Sequence, residues 1–165
     1  MASFIDLEHT IIPDALTIPG MILAPLISLA FPAWQAVPET RGATALLFSN
    51  PHLDGLANSL LGMAAGAGFI LMLLVLGRIV FRREAMGWGD VKFMGMVGGF
   101  LGWKLVLMSN LVAPIFGSII GILLLISKGQ HYIPYGPFLS LGTLTVMIFG
   151  PDMLIWFRLH YFPIL

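Results

Sequence analysis

Two acidic sites in this sequence are placed to do chemistry. The first is the head, MASFIDLEHTIIPD, which carries Asp6, Glu8 and Asp14; the second is Asp90, set in MGWGDVK with Lys92 two places on. Two carboxylates brought together in a partly dry pocket cannot both ionise easily, so one keeps its proton while the other stays charged. That split supplies a general acid and a general base able to activate a water on a peptide carbonyl. Gly87 and Gly89 flank Trp88 beside the second carboxylate, where glycine lets a backbone turn sharply and approach a substrate closely. Competing chemistries find less support. With no cysteine, disulfides, thiolate zinc sites and a cysteine nucleophile are excluded. His9, His52, His131 and His160 are scattered, so a shared metal site is not expected, and each is expected to be interfacial or hydrogen-bonded. No serine sits in a strained glycine-rich turn, which leaves a Ser/His/Asp arrangement without support.

The elements that must position these carboxylates are membrane helices. The chain of 165 residues is 58% hydrophobic and only 10% charged, against roughly 25% charged in a soluble domain. Eight basic residues balance eight acidic ones, so no basic excess points to nucleic acid. Residues 15–38, 55–77, 105–127 and 129–151 hold no Asp, Glu, Lys or Arg, and each gap is 23 or 24 residues long. A helix needs about 20 predominantly apolar residues to cross a bilayer. Four membrane segments follow, with a fifth, 93–103, too short to span unless its flanking lysines snorkel. The segments fall at about 15–34, 55–81, 90–103, 105–126 and 134–155, the third and fourth joined by a tight turn near Gly102. Asp6 and Glu8 precede any apolar core, so no signal-peptide pattern opens the chain.

Arg78, Arg82, Arg83 and Lys92 place the 82–92 loop in the cytoplasm by the positive-inside rule. Counting crossings puts the head on the same side as Asp90 and leaves 35–54 outside, as an aqueous loop or a lip lying on the membrane, without a site. Pro19 and Pro25 interrupt the first segment's backbone bonding. The run GMAAGAG permits close helix packing, and Gly95, Gly98, Gly99 and Gly102 thin one side of the short segment, where a peptide or a helix could lie. Ser109, Asn110 and Ser118 are expected to bond between helices. Asp90 could alternatively serve as a helix N-cap, and Lys92 could pair with a carboxylate or anchor its helix at the headgroups. No internal repeat is visible, so residues 1–165 read as a single all-α, polytopic membrane domain.

Three blocks, in order, resemble the type IV prepilin peptidases. GWGD at 87–90 matches their GxGD motif, shared more distantly with presenilin-type proteases. Upstream, IDLEHTIIPDALTIPG at 5–20 is similar to their first aspartate block, and downstream YIPYGPFLSLG at 132–142 is similar to their Ile-Pro-aromatic-Gly-Pro block. The resemblance implies an aspartic endopeptidase whose catalytic pair falls on Asp6 and Asp90, with Asp14, Gly87, Gly89 and Lys92 as supporting motif positions. It implies cleavage of the leader of prepilins or pseudopilins, for pili or type II secretion, by a multi-pass protein of the bacterial inner membrane. No cofactor is implied for the peptidase. S-adenosylmethionine enters only if the methylation performed by bifunctional members is retained.

Against the family pattern, the cysteine-bearing N-terminal domain and the membrane helix leading into the first aspartate are missing, so the chain is expected to be N-terminally truncated. Two other readings stay open: an inactive paralogue that binds prepilins as a scaffold, and a transporter-like fragment. The latter predicts similar halves and mid-membrane polar residues, and the sequence displays neither.

Overall fold

The computed structural model describes residues 14–32, 50–81, 87–128 and 135–161. Asp6, Glu8, His9, Arg82, Arg83 and His131 lie outside the described residues, as does most of 35–54. Among the described residues the regular elements are five helices: α1 (Asp14–Ala30), α2 (Pro51–Phe81), α3 (Trp88–Leu101), α4 (Trp103–Lys128) and α5 (Gly136–Tyr161). The protein is an all-α, polytopic membrane bundle. Among the described residues three stretches are long and apolar enough to cross a bilayer, Pro51–Ile79, Trp103–Ile120 and Gly136–Trp156. The first segment is shorter than the charge-free gap suggests, because its apolar helix covers only Leu16–Ala30. At 1.5 Å per residue α3 is about 21 Å long, short of the roughly 30 Å hydrocarbon core.

Local chemistry explains the ends. The Asn50 side chain accepts the His52 amide at 3.2 Å and Pro51 takes the first helical position, a favoured start for a helix. Pro51, His52 and Asp54 therefore belong to the first turn of α2 and not to an aqueous loop, and Asp54 is only 3% exposed. His52 Nδ1 lies 2.7 Å from the Leu29 carbonyl and ties α2 to the end of α1. At the same end of the bundle Gly102, with φ of 82°, donates to the Gly98 carbonyl (2.8 Å) and accepts from the Val106 amide (3.1 Å). One left-handed residue thus closes α3 and opens α4, and a Cβ there would also meet the Asn58 amide.

Packing follows the small residues. Gly62 and Gly66 of α2 rest on the Gly98 and Met94 carbonyls of α3, so close that a Cβ at any of these glycines would strike backbone. The glycine-thinned side of α3 is therefore filled by neighbouring helices, α2 at Gly98 and Ala24 of α1 at Gly99. Gly142 and Gly150 of α5 receive Ala113 and Leu105 of α4. The result is a tight trio, α1–α3, and a hairpin, α4–α5, joined chiefly where α4 meets α2 and only lightly where α3 meets α4 and α5. Ile70, Phe93, Met94, Val97, Val106, Ala113 and Leu139 form the shared core. The other faces carry exposed leucines, isoleucines and phenylalanines, as helices facing lipid do.

Of the three polar residues expected to link helices, one does. Ser109 Oγ and Thr143 Oγ1 are 3.0 Å apart across α4 and α5. Ser118 instead donates to the Pro114 carbonyl of its own helix at 2.7 Å, satisfying a group near a proline, and Asn110 has no hydrogen-bond partner among the described residues. Thr143 also donates to the Leu139 carbonyl, so Ser109→Ala strands no donor. Its expected cost is about 0.6 kcal/mol, the average for such bonds in membrane proteins, measurable by detergent denaturation.

Candidate active site

Asp90 is the third residue of α3, not its N-cap, because the helix begins at Trp88 with Gly87 as the cap. The Gly87 amide donates to Asp90 Oδ2 at 3.3 Å and the Asp90 amide donates to the Gly87 carbonyl at 3.2 Å. A carboxylate in the first turn is favoured by the helix dipole. Asp90 is 7% exposed, whereas Trp88 beside it is 62% exposed.

Register fixes the depth. Gly62 opposes Gly98 and Gly66 opposes Met94, so Ile70 of α2 comes level with Asp90. That level is nine residues short of Ile79, about 14 Å within the longest span. Gly20 meets Met96 and Ala24 meets Gly99, so α1 runs parallel to α3 and Asp14 opens α1 at the depth where Asp90 opens α3. The head that carries Asp6 thus joins the bundle at the Asp90 end. Asp6 itself lies outside the described residues, and Asp14 is placed by its backbone.

Gly87 does not perform the sharp turn its type suggests. Its φ of −88° and ψ of 154° are ordinary extended backbone, and a Cβ would meet only the Gly89 amide at 3.9 Å. What remains is access: glycine leaves the amide beside Asp90 bare. Gly87→Ala is therefore expected to leave the melting temperature within about 2 °C, as for a surface change, while lowering turnover of a peptide substrate several-fold. Lys92 is half-buried one turn into α3.

One residue that sequence reasoning gave no role stands at this site. Tyr135 precedes α5 and caps it, its carbonyl accepting the Phe138 and Leu139 amides at 3.1 and 3.2 Å. Its ring packs against the core cluster that contains Phe93 and Leu139. Burial, and secondarily the negative charge of Asp90, push its phenol above the ordinary value of 10.0. At neutral pH it carries its proton and offers a donor near Asp90. A raised folded value means that the native state holds this proton more tightly than the unfolded chain. The associated stability is present below pH 10 and is lost as pH rises beyond it. Tyr135→Phe is expected to flatten the fall of melting temperature between pH 9 and 11; an unchanged slope would argue that Tyr135 is not the group. The signal in the sequence was the aromatic of the 132–142 block, legible as a motif but not as a neighbour of Asp90.

Among the described residues no cluster of three or more His, Cys, Asp or Glu is arranged to hold a metal. His160 stacks on Trp156 with ring centroids 5.2 Å apart, at the end opposite Asp90.

A short buried helix that presents a carboxylate at membrane depth, within a bundle of spanning helices, defines a membrane protein with an intramembrane acid. The particular family follows from comparison: residues 1–122 match the type IV leader peptidase family, and the chain belongs to it. Similar relatives include prepilin leader peptidase/N-methyltransferases from three organisms. That of Myxococcus xanthus is 35% identical over 128 residues, 78% of this chain and 32% of that protein. That of Legionella pneumophila is 30% identical over 158 residues, 93% and 48%. That of Pseudomonas aeruginosa is 27% identical over 154 residues, 92% and 46%. The chain thus spans a third to a half of the length of these curated relatives. No solved structure matches it.

Proposed function

We propose that this chain is a membrane-embedded aspartic endopeptidase that removes the short basic leader of type IV prepilins or pseudopilins at the cytoplasmic face of a bacterial inner membrane. The observation that carries this reading is Asp90: a buried carboxylate of the GWGD motif in the first turn of α3, at the bundle end where α1 begins. Asp6 and Asp90 act as the pair. The ionised carboxylate takes a proton from water as its oxygen attacks the scissile carbonyl. The protonated one donates to the carbonyl oxygen, and the amide breaks as a proton passes to the leaving nitrogen. Gly87 leaves room for the substrate backbone. Arg78, at the end of α2, supports a cytoplasmic placement of this end, together with the basic residues that follow it in the sequence.

The relatives' names add N-methylation, which uses a methyl donor beside the newly made amino terminus. A cavity of about 420 Å³ is lined by Met108, Phe149, Asp152, Met153 and Trp156. It lies between α4 and α5 toward the end opposite Asp90, so its residues do not fit a donor acting at the cleavage site. The proposal is confined to the peptidase. The chain, reconstituted in liposomes with a purified prepilin, is expected to release the leader, and Asp90→Asn protein to release none. Full cleavage by Asp90→Asn would defeat the assignment.

A further inference from the structure

Asn110 is the eighth residue of α4, with 1% of its surface exposed, and neither its Oδ1 nor its Nδ2 has a hydrogen-bond partner among the described residues. Membrane interiors punish such groups, since nothing apolar repays the bonds lost from water. An unsatisfied carboxamide in a core therefore asks for an occupant. Its neighbours show where it points. Leu105, Ser109 and Ala113 make the face of α4 turned to α5, through Gly150, Thr143 and Gly142. Asn110 lies on the other edge of the buried arc, one turn after Val106, whose side chain closes on Gly66 of α2. Helices α2 and α4 run in the same direction, so the next turn sets Asn110 beside Ile70.

Ile70 is also the residue level with Asp90. The carboxamide and the carboxylate thus share one depth, that of Ile70, on α4 and α3. Resting on the peptidase reading above, the geometry points to Asn110 as a binding residue for the peptide backbone of the substrate, on the α2-facing edge of α4 at the depth of Asp90. A peptide must leave its helix for a carboxyl pair to reach the scissile carbonyl, and each backbone N–H and C=O freed at that depth costs several kcal/mol if unmet. A carboxamide offers a donor and an acceptor side by side, the complement of a peptide group, and reads no side chain. The cost of an unsatisfied Asn110 in the free protein is recovered when the backbone arrives.

The test separates this role from cleavage by measuring binding in the inactive Asp90→Asn background. The probe is a dye-labelled synthetic peptide, a short basic leader joined to an apolar segment, titrated into detergent-solubilised full chain. Adding Asn110→Leu is expected to weaken binding at least tenfold while leaving the melting temperature unchanged or raised, because an apolar isostere relieves the buried amide. Equal affinity would overturn the inference. So would a lowered melting temperature with Asn110→Leu, which would make the amide a structural group, or the absence of peptide binding by the unaltered chain. Asn110→Gln, which keeps the amide, is expected to retain more affinity than Asn110→Leu, and the reverse order would also overturn it. Failure of the chain to cleave in liposomes counts against the peptidase reading and leaves this comparison of affinities standing.

Discussion

Gly98→Val protein is expected to lose at least about 3 kcal/mol of stability, the top of the usual range for overpacking a core. The reason is the absence of anything that can move. A Cβ at Gly98 falls on the Gly62 carbonyl oxygen, with the Met63 amide next to it. Both atoms are backbone of α2, so no side chain can swing aside, and the helices must separate along the contact that sets the depth of Asp90. Gly68→Val is the matched control: it lies on the same helix as Gly62, and a Cβ there meets nothing within 4 Å. Its expected change is within about 0.5 kcal/mol. Thermal unfolding in one detergent compares the two, and equal losses would show that the close approach of α2 to α3 is not what holds the trio together.

The second large effect concerns catalysis. Removing a positioned acid or base costs roughly 10² to 10⁴-fold in rate, and two carboxylates that share one proton act as a unit. Asp6→Asn and Asp90→Asn are each expected to lower leader release at least about 1,000-fold, and the double variant to be no worse than either single one. Quantifying released leader over time measures all three. Multiplying losses, 1,000-fold times 1,000-fold, would mean independent roles; a modest loss for Asp6→Asn would return that residue to the solvated head. Asp14→Asn is expected to cost less than tenfold, because its motif position is supporting and it opens a helix, where a neutral polar residue still caps.

Much of this architecture was legible in the charges. Gaps free of Asp, Glu, Lys and Arg located α2 and α4 to within four residues at each end, though α1 ends eight residues before its gap does and α5 runs ten residues beyond its own, and Gly102 was visible as the turn between α3 and α4. The limits were local. Helix α2 starts earlier than its charge-free gap because Asn50 and Pro51 build a favourable first turn and carry Asp54 into the bundle. A charge inside a helix is invisible to a rule that counts charges as loops. The GWGD turn announced Asp90 but misassigned the work of Gly87, whose backbone is ordinary and whose value is a bare surface. Tyr135 and Asn110 were the least legible, since each acquires meaning from what lies on a neighbouring helix. Forty-five positions separate Tyr135 from Asp90, and no spacing rule links them.

The most direct test is whether the Asp6 and Asp90 positions meet. The sequence has no cysteine, so Asp6→Cys and Asp90→Cys supply the only two thiols without further engineering. Treated in membranes with a short bifunctional maleimide, this double variant is expected to give an intramolecular cross-link that changes its mobility on a gel. The pairing of Asp90→Cys with Asp152→Cys, at opposite ends of the bundle, is expected to give none. Absence of the 6–90 cross-link while both thiols react with a monofunctional maleimide would contradict a shared carboxyl pair.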